Sequence, residues 1–528
     1  MNLIPELESV LEELTRRFGA QLKWAPATQP NELHLHAKVE LAGALCSAFH
    51  KIHNGRLVGV FAEDARTEHN AYFVYYLYVL DWAHGFVLVR VALPPDHPEL
   101  PSVTNAVHGV DWQEREIQDM FGISLLGHPN PRRCVLHDDW PEVYPLRKDF
   151  NLRAQLPPFT GPRHKFREVE GEGVFQVPVG PVHAGIIEPG HFLFSVAGEP
   201  VLYLQLRLFY VHKGIEKLFE SIPVAHCVRL AESISGDSSF AHATAFCHAV
   251  ERAAGVQPPP RARALRTLCL ELERLYNHVA DIGALCNDVG FGLAQAWALT
   301  LREQLLQLNR EITGHRLLRG GVVPGGARLR RLPSMAELTE IGHRFEELVD
   351  LASSNALVME RFSGTATLDA SHARDLGVVG VAGRASGLAF DARTAHPFVN
   401  PIDGFSPVLH SGGDVLARYT VRVDEVRASL SCIANLVDRV ASLDSVASLR
   451  GYSVPNPADG GVGIAEGWRG VVVHRVELDT QRRISRVKVV DPSFLNWPAL
   501  PVSLADTIVP DFPLANKSFN LSYAGNDL

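Results

Sequence analysis

Two short segments place polar side chains at the spacing of a binding site. In Glu232-Ser-Ile-Ser-Gly-Asp-Ser-Ser-Phe-Ala-His242, Ser235 and Ser238 stand three residues apart, with His242 close behind. On a helical turn that spacing is about 60°, so the two hydroxyls can face one site together. In Asp491-Pro-Ser-Phe-Leu-Asn496 a hydroxyl and a carboxamide, Ser493 and Asn496, are again three apart. Alcohols and carboxamides stay neutral and hard, so they are poor substitutes for the thiolates that hold a soft transition metal. What these four positions offer is a hydrogen-bond network, and no metal is expected on them.

A second set suits protons. His183 and Glu188 share the Gly- and Pro-rich stretch Gly180 to Gly190. An imidazole titrates near neutrality and a buried carboxyl can be raised towards it, so the pair is chemically fit for proton transfer. The plain alternative is a histidine satisfied by backbone beside a surface carboxylate. Arg384, Asp391 and Arg393 could organise a water chain as fixed ion pairs, or be a buried structural pair. The seven cysteines are odd in number and never in C-x-x-C, which reads as reduced, mostly buried thiols of a cytoplasmic protein. Cys227 beside His226, with Cys247 and His242, could form a scattered ligand set or simply be core. Cys247 lies roughly 140° round a helix from His242.

The elements that must position these groups fall into two parts. Residues 1 to 155 alternate helical and strand patterns. Glu6 to Phe18 carries Leu7, Val10, Leu11 and Leu14 on one helical face, and strand patterns follow at Glu32–His36, Arg56–Ala62, Tyr72–Leu80 and Phe86–Leu93. The most apolar stretch, Ala71 to Leu93, is broken by Asp81, His84, Gly85 and Arg90, so it predicts two strands and a turn rather than a membrane helix. A linker over 156–175 is marked by Pro157-Pro158, Gly161-Pro162 and the Glu168–Glu172 charges. Over 176–528 the 3.6-residue period of Ile215–Val256, Arg261–Ala284, Ala294–Thr313 and Ser334–Phe362 predicts a bundle of long helices. After Pro455 short strands return at Gly470–Leu478 and Ile484–Val490.

Composition excludes several classes. A formal charge of −9 over 528 residues, with no basic run, argues against nucleic acid as a partner. No G-x-x-x-x-G-K-[ST] and no convincing G-x-G-x-x-G is present, so nucleotide binding has no support. Gly236-Asp-Ser-Ser239 looks like a serine-hydrolase nucleophile segment only superficially, lacking the G-x-S-x-G frame. The acidic start, Met-Asn-Leu-Ile-Pro-Glu-Leu-Glu, lacks the basic and apolar regions of a secretory signal, so export is not expected.

The run Glu114-Arg-Glu-Ile-Gln-Asp-Met-Phe-Gly-Ile123, with Gly127 to Arg133, Asp138 to Pro141 and Pro145 to Phe150, resembles the C subunit of bacterial complex I. Its acidic turn (Glu114, Glu116, Asp119) opposite Arg132, Arg133, Arg147 and Lys148 is expected to form an ion-pair network at a docking surface, or solvated surface charge. Gly180 to Gly190, His212-Lys-Gly-Ile-Glu-Lys217, Arg274 to His278, Arg384 to Gly387 and Gly413 to Arg418 resemble energy-converting NiFe hydrogenase large subunits and the complex I D subunit. The domain order matches large subunits of the hydrogenase-4 and formate hydrogenlyase type. The implied fold is α+β, a C-like α/β domain followed by a mainly helical D-like domain with small β elements.

That resemblance puts Ser235, Ser238, Ser493 and Asn496 in the places of four metal-binding cysteines (C-G-I-C with F-A-H, and D-P-C-x-x-C), with His242 as their neighbour lining the cavity. His183 falls on a quinone-headgroup histidine and Glu188 on a proton-transfer glutamate, while Arg384 and Asp391 match polar groups lining the inner cavity. A quinone-binding tyrosine would fall at or near Glu232, which puts quinone reduction of the complex I kind in doubt. Retention of the C-terminal tail, clipped in metal-loaded relatives, is expected. The resemblance implies a subunit with no cofactor of its own, on the cytoplasmic face of a membrane, against a small 4Fe-4S subunit and integral membrane subunits. Electrons would pass to an acceptor such as a quinone, coupled to ion movement. The alternatives are an active NiFe hydrogenase with atypical ligands and a non-catalytic scaffold between peripheral and membrane arms.

Overall fold

The computed structural model describes residues 3–25, 27, 29–153, 155–159, 165–185, 187–220, 222–395, 402, 404–443, 460–479, 481, 483–505 and 507–528. Gly161 and Pro162 of the predicted linker, Ile186 of the Gly180–Gly190 stretch, and Pro455 lie outside the described residues.

The N-terminal part is a five-stranded sheet in the order Leu22–Ala25, Glu32–Ala37, Gly85–Leu93, Ala71–Leu80, Arg56–Ala65. All pairings are antiparallel except that of Glu32–Ala37 with Gly85–Leu93. The Pro5–Phe18 helix forms where the periodicity predicts it, burying Leu7, Val10 and Leu14. Glu6 and Glu8 in its first turn and Arg16 and Arg17 in its last complement the helix dipole. Together with the Ala42–Lys51 helix it covers one face of the sheet.

The other face explains the most apolar stretch of the chain. Phe61, Phe73, Tyr75 and Leu77 pack on Val379, Phe390, Val462, Ile464, Val471 and Val473 from the C-terminal part. Every residue of Ala71–Leu80 is buried, because this strand has protein on both sides and no water-facing row to alternate with.

Of the charges predicted as a docking network or solvated surface, the acidic members Glu114, Glu116 and Asp119 are interior struts, while Arg132 and Lys148 are exposed. The Glu114 carboxylate accepts from Ser102 Oγ, the Val103 amide and Thr104 Oγ1. Asp119 accepts from the amides of Cys134, Val135 and Leu136, with Arg133 only 3.8 Å away. Lys488 bridges Glu116 (2.7 Å) to Glu216 (3.1 Å) and so ties the two parts of the chain together. Arg147 donates to Phe121 O and Lys148 to Glu220. Short-range pattern could not distinguish surface charge from charge that gains buried partners hundreds of residues away.

In the C-terminal part the helices Pro260–Asp288, Gly292–Thr313, Met335–Ser353 and Val415–Ser442 pack around one large core. The last was not anticipated from periodicity; Asp414 caps it, accepting from the Ala417 amide. Ile215–Val256 is not one helical run. It divides into Ile215–Phe219, Val224–Ala231 and Ser239–Ala253, with Pro223 capping the second piece and a single 3-10 turn, Gly236–Ser238, preceding the third. Ser334–Phe362 is two helices, the second, Ala356–Phe362, capped by Asn355. An antiparallel sheet of Val174–Val179, His191–Ala197 and Val201–Arg207 also escaped the sequence reading.

The Ser239–Ala253 helix lies directly on the strand Gly461–Gly467, which pairs in turn with Gly470–Leu478 and, through it, Ile484–Val490. Ala241, Ala245 and Ala249 recur every four residues on the helix, opposite glycines on the strand. A Cβ on Gly463 would strike the backbone at Ala245 and Ala249, so only glycine permits this approach. The close contact fixes where His242, one residue past Ala241, points.

Candidate functional site

His242 is fully buried. Its Nε2 is 2.9 Å from Asp491 Oδ2 and its Nδ1 3.1 Å from His474 Nε2. Asp491 caps the Pro492–Asn496 helix, its Oδ1 accepting from the Ser493 amide at 2.7 Å. Burial works to raise the Asp491 carboxyl, but His242 and Arg469 override it and hold the group below the usual range. Burial, reinforced by His242, pushes His474 well below the ordinary imidazole value. Ionised Asp491 accepts from His242 Nε2–H, while His242 Nδ1 and His474 Nε2 share one proton between them. His474 Nδ1 has no partner among the described residues.

Ser235, Ser238, Ser493 and Asn496 are all buried; the Ser493 amide bonds Asp491, and Ser522 joins Ser493 to Ser235. Ser235 and Ser238 are not on a helical turn; Ser235 has extended backbone and precedes the 3-10 turn. Its Oγ donates to Asp237 Oδ1 at 2.9 Å and lies 2.9 Å from Ser522 Oγ. Ser238 Oγ accepts from Arg469 Nη1 at 3.3 Å. Ser493 Oγ accepts from the Ser522 amide at 2.9 Å. Asn496 has both ends of its carboxamide engaged: Oδ1 accepts from the Val379 amide (2.9 Å) and Nδ2 donates to Val379 O (3.1 Å).

Three participants were missed from sequence. Arg469, on the Gly467-Trp-Arg-Gly470 turn between two strands, grips Asp237 with both Nη atoms (2.7 and 2.6 Å) and donates from Nε to Asn520 O. Burial tends to raise Asp237, and the Arg469 guanidinium with the Ser235 hydroxyl reverses this, leaving it below the usual carboxylate range. Ser522 brings the C-terminal segment into the site, bonded to both Ser235 and Ser493. Asp527, fully buried, accepts from the Val211 amide (2.8 Å) and pairs with His212 (2.9 Å). A tight turn bearing one arginine and a C-terminal run of small polar residues were the available signals; neither has a periodicity that marks it.

The C-terminal segment thus occupies the space between the two polar motifs. Trp497 Nε1 donates to Ser522 O, and its ring meets Tyr523 edge-on at 5.0 Å. A Cβ on Gly525 would run into the Asp491 carboxylate, so the segment passes the site at a point only glycine can occupy.

His183 and Glu188 sit on a loop, His183 half-buried and Glu188 exposed. His183 Nε2 donates to Gly190 O at 2.7 Å, and Glu188 Oε2 accepts from the Ala524 amide at 3.0 Å, so the loop reaches the site through the C-terminal segment. Arg384 and Asp391 lie elsewhere, buried in an ion cluster with Arg274, Arg393, Glu271, Glu425 and Glu466. The scattered cysteine set does not assemble. Cys227 Sγ donates to Ile222 O and Pro223 O, His226 is exposed, and burial pushes the Cys227 thiol up to about 12. Among the described residues no three His, Cys, Asp or Glu side chains are grouped to hold a metal ion.

A NiFe centre does not fit the residues present. None of the four positions can supply a thiolate, Asn496 has its carboxamide committed to backbone, and Ser235 and Ser493 are bonded to Ser522.

Comparison with known proteins fits this architecture. Residues 36–156 match the family described as respiratory-chain NADH dehydrogenase, 30 Kd subunit, and residues 288–459 the family described as respiratory-chain NADH dehydrogenase, 49 Kd subunit. The chain is 34% identical to formate hydrogenlyase subunit 5 of Escherichia coli K12 over 94% of its own length and 89% of that protein. It is 31% identical to hydrogenase-4 component G of the same organism, over 98% of this chain and 92% of the relative. With the fused C/D protein of the NADH-quinone oxidoreductase of Phocaeicola vulgatus it shares 30% identity over 70% of this chain and 75% of the relative. The chain belongs to the family of fused 30 Kd and 49 Kd-type subunits that includes the formate hydrogenlyase, hydrogenase-4 and NADH-quinone oxidoreductase C/D proteins. These relatives are subunits of multi-subunit oxidoreductase complexes, and no described helix here is long and apolar enough to cross a membrane.

Proposed function

We propose that this chain is the large subunit of a membrane-associated, complex I-related oxidoreductase that works without a NiFe centre. It has no cofactor of its own. A neighbouring small subunit with a 4Fe-4S cluster delivers electrons, an acceptor such as a quinone takes them, and integral membrane proteins of the same assembly couple the reaction to ion movement. The complex stands on the cytoplasmic face of the membrane. The domain boundaries fall at 155 and 176.

The observation that supports this reading is the fate of the four ligand places. Each carries an oxygen or amide side chain, and those side chains are engaged by backbone, by Arg469 or by Ser522. His183 and Glu188 handle protons at the rim, where their loop meets the C-terminal segment, and His242, hydrogen-bonded to Asp491, lies buried behind it.

The test is nickel and iron content of the purified complex together with a hydrogen-evolution assay. Iron without nickel and no hydrogen is the expected result. Stoichiometric nickel with hydrogen evolution overturns the reading in favour of a hydrogenase with atypical ligands. Replacing His183 and Glu188 by Ala separates the remaining alternative, because a scaffold keeps full turnover in an assembled complex and the proposed subunit does not.

A further inference from the structure

Beneath the Gly467–Gly470 turn lies a cluster of charges that the site does not use. Six of them form a closed ring of alternating sign: Arg274 to Glu271 (3.2 Å), Glu271 to Arg393 (3.1 Å), Arg393 to Asp391 (2.7 Å), Asp391 to Arg384 (3.3 Å), Arg384 to Glu425 (2.7 Å) and Glu425 back to Arg274 (3.4 Å). Three guanidiniums and three carboxylates leave the ring neutral. No member exposes more than 8% of its side chain.

Glu466 is the carboxylate left over. It bonds Arg384 Nη1 from outside the ring at 2.8 Å, and its other oxygen accepts from the Ala392 amide at 3.0 Å. Arg384 is already shared with Asp391 and Glu425, so the cluster holds four carboxylates against three guanidiniums. An uncompensated buried charge is too costly to keep, and such groups take up a proton instead.

Among the described residues the surroundings supply no further compensation within ion-pair reach. His278 donates from Nε2 to Glu425 at 2.7 Å, and its Nδ1 has no partner among the described residues; a second proton there would be a buried orphan donor. Arg422 on the neighbouring helix is spent on Asp281 at 2.9 Å. Ser429 donates to Glu271, and Cys432 stands beside the ring as a neutral thiol. From the N-terminal sheet, Arg56 faces Glu466 together with Asp81, as a couple of opposite sign, with the Arg56 guanidinium over the Phe390 ring. The ring carboxylates behave as paired groups: burial works to raise Glu271, Asp391 and Glu425, and their arginines hold all three below the usual range. Glu466 behaves as the odd one out, pushed by burial and by Asp391 up to about 6.

We propose that Glu466 is a buried protonation site, taking one proton from water to make the cluster neutral and releasing it again as the pH rises. Its position gives that proton a consequence. Arg274 donates to the carbonyls of Glu466 and Gly467, so the cluster pins the turn that carries Arg469 to Asp237 and Ser238. This inference does not depend on the electron donor or acceptor.

The test is infrared difference spectroscopy of the purified complex across a pH titration, with and without 13C-glutamate labelling. Expected is a carboxylic-acid carbonyl band, shifted by the label, that disappears with a midpoint near pH 6. Glu273, which burial raises to about 8, contributes its own band, so the decisive spectrum is wild type minus Glu466→Gln. Asp288 is also raised to about 6 but carries no glutamate label, so that difference must contain the whole of the label-sensitive band titrating near 6. Asp391→Asn must also abolish it, since removing any one carboxylate restores three against three. A wild-type spectrum without a label-sensitive band there, or an unchanged band in Glu466→Gln, overturns the proposal even if Asp391→Asn does not fold. A band that persists in folded Asp391→Asn refutes the charge count that places the proton.

Discussion

If Asn496 is a backbone clamp rather than a displaced metal ligand, replacing it has a defined cost. Asn496→Ala removes both bonds to Val379 and leaves a buried N–H and a buried C=O without partners. At about 1–3 kcal/mol for each orphaned group, and with the pair sharing one residue, a loss of about 3 kcal/mol is expected. That is roughly a hundredfold in the folding equilibrium. Denaturant unfolding of the purified chain, followed by tryptophan fluorescence, measures it, because Trp497 is the next residue and fully buried. Asn496→Asp adds a sign test. One carboxylate oxygen can still accept from the Val379 amide, but the other then faces Val379 O and must carry a proton to donate. Its folded pKa is therefore raised above the unfolded value, so near-native stability is present at low pH and is lost as pH rises through the folded pKa. Asn496→Cys should resemble Asn496→Ala in stability and acquire no nickel. A neutral Asn496→Ala, or nickel bound by Asn496→Cys, refutes the clamp.

Other outcomes follow from the same geometry. Ser522→Ala loses its bonds to Ser235 Oγ and the Gly525 amide, a cost of about 1.5 kcal/mol, and should make the C-terminus more susceptible to carboxypeptidase. Removing residues 522–528 exposes Trp497, and its emission should move to the red. Arg469→Met strips Asp237 of its bidentate partner; about 2 kcal/mol is expected, on the low side for an ion pair because the Asp237 side chain is 38% exposed, and Arg469→Lys should recover only part of it. For Glu466, a folded value near 6 against an ordinary 4.5 means about 2 kcal/mol of stability, fully present below pH 4.5 and lost as pH rises through 6. Glu466→Gln should flatten that slope, and an undiminished slope in this variant contradicts the assignment.

Much of the local structure was legible in the chain. The Pro5–Phe18 helix, the strands around Ala71–Leu93 and the long helices from Pro260 to Thr313 follow from periodicity, because each buries one continuous stripe. The two polar motifs and the family resemblance also came from residue order alone. Periodicity failed where the cause was not local. Ile215–Val256 is interrupted at Pro223 and at the Ser235–Ser238 turn, whose polar groups are satisfied by Arg469 and Ser522 rather than by continued helix. Glu116 reads as surface charge until Lys488 is found beside it.

By itself the sequence determined that four neutral side chains stand where thiolates would be needed, since donor chemistry is a property of residue type and not of fold. Only the tertiary structure decided what those side chains do instead. Asn496 grips a backbone 117 residues away, Ser235 and Ser493 are bridged by Ser522 from the C-terminus, and Arg384 and Asp391 belong to a ring of charges in the core. Buried polar groups must find partners, and in a chain of this length most candidates lie far off in sequence, so only the folded arrangement selects among them.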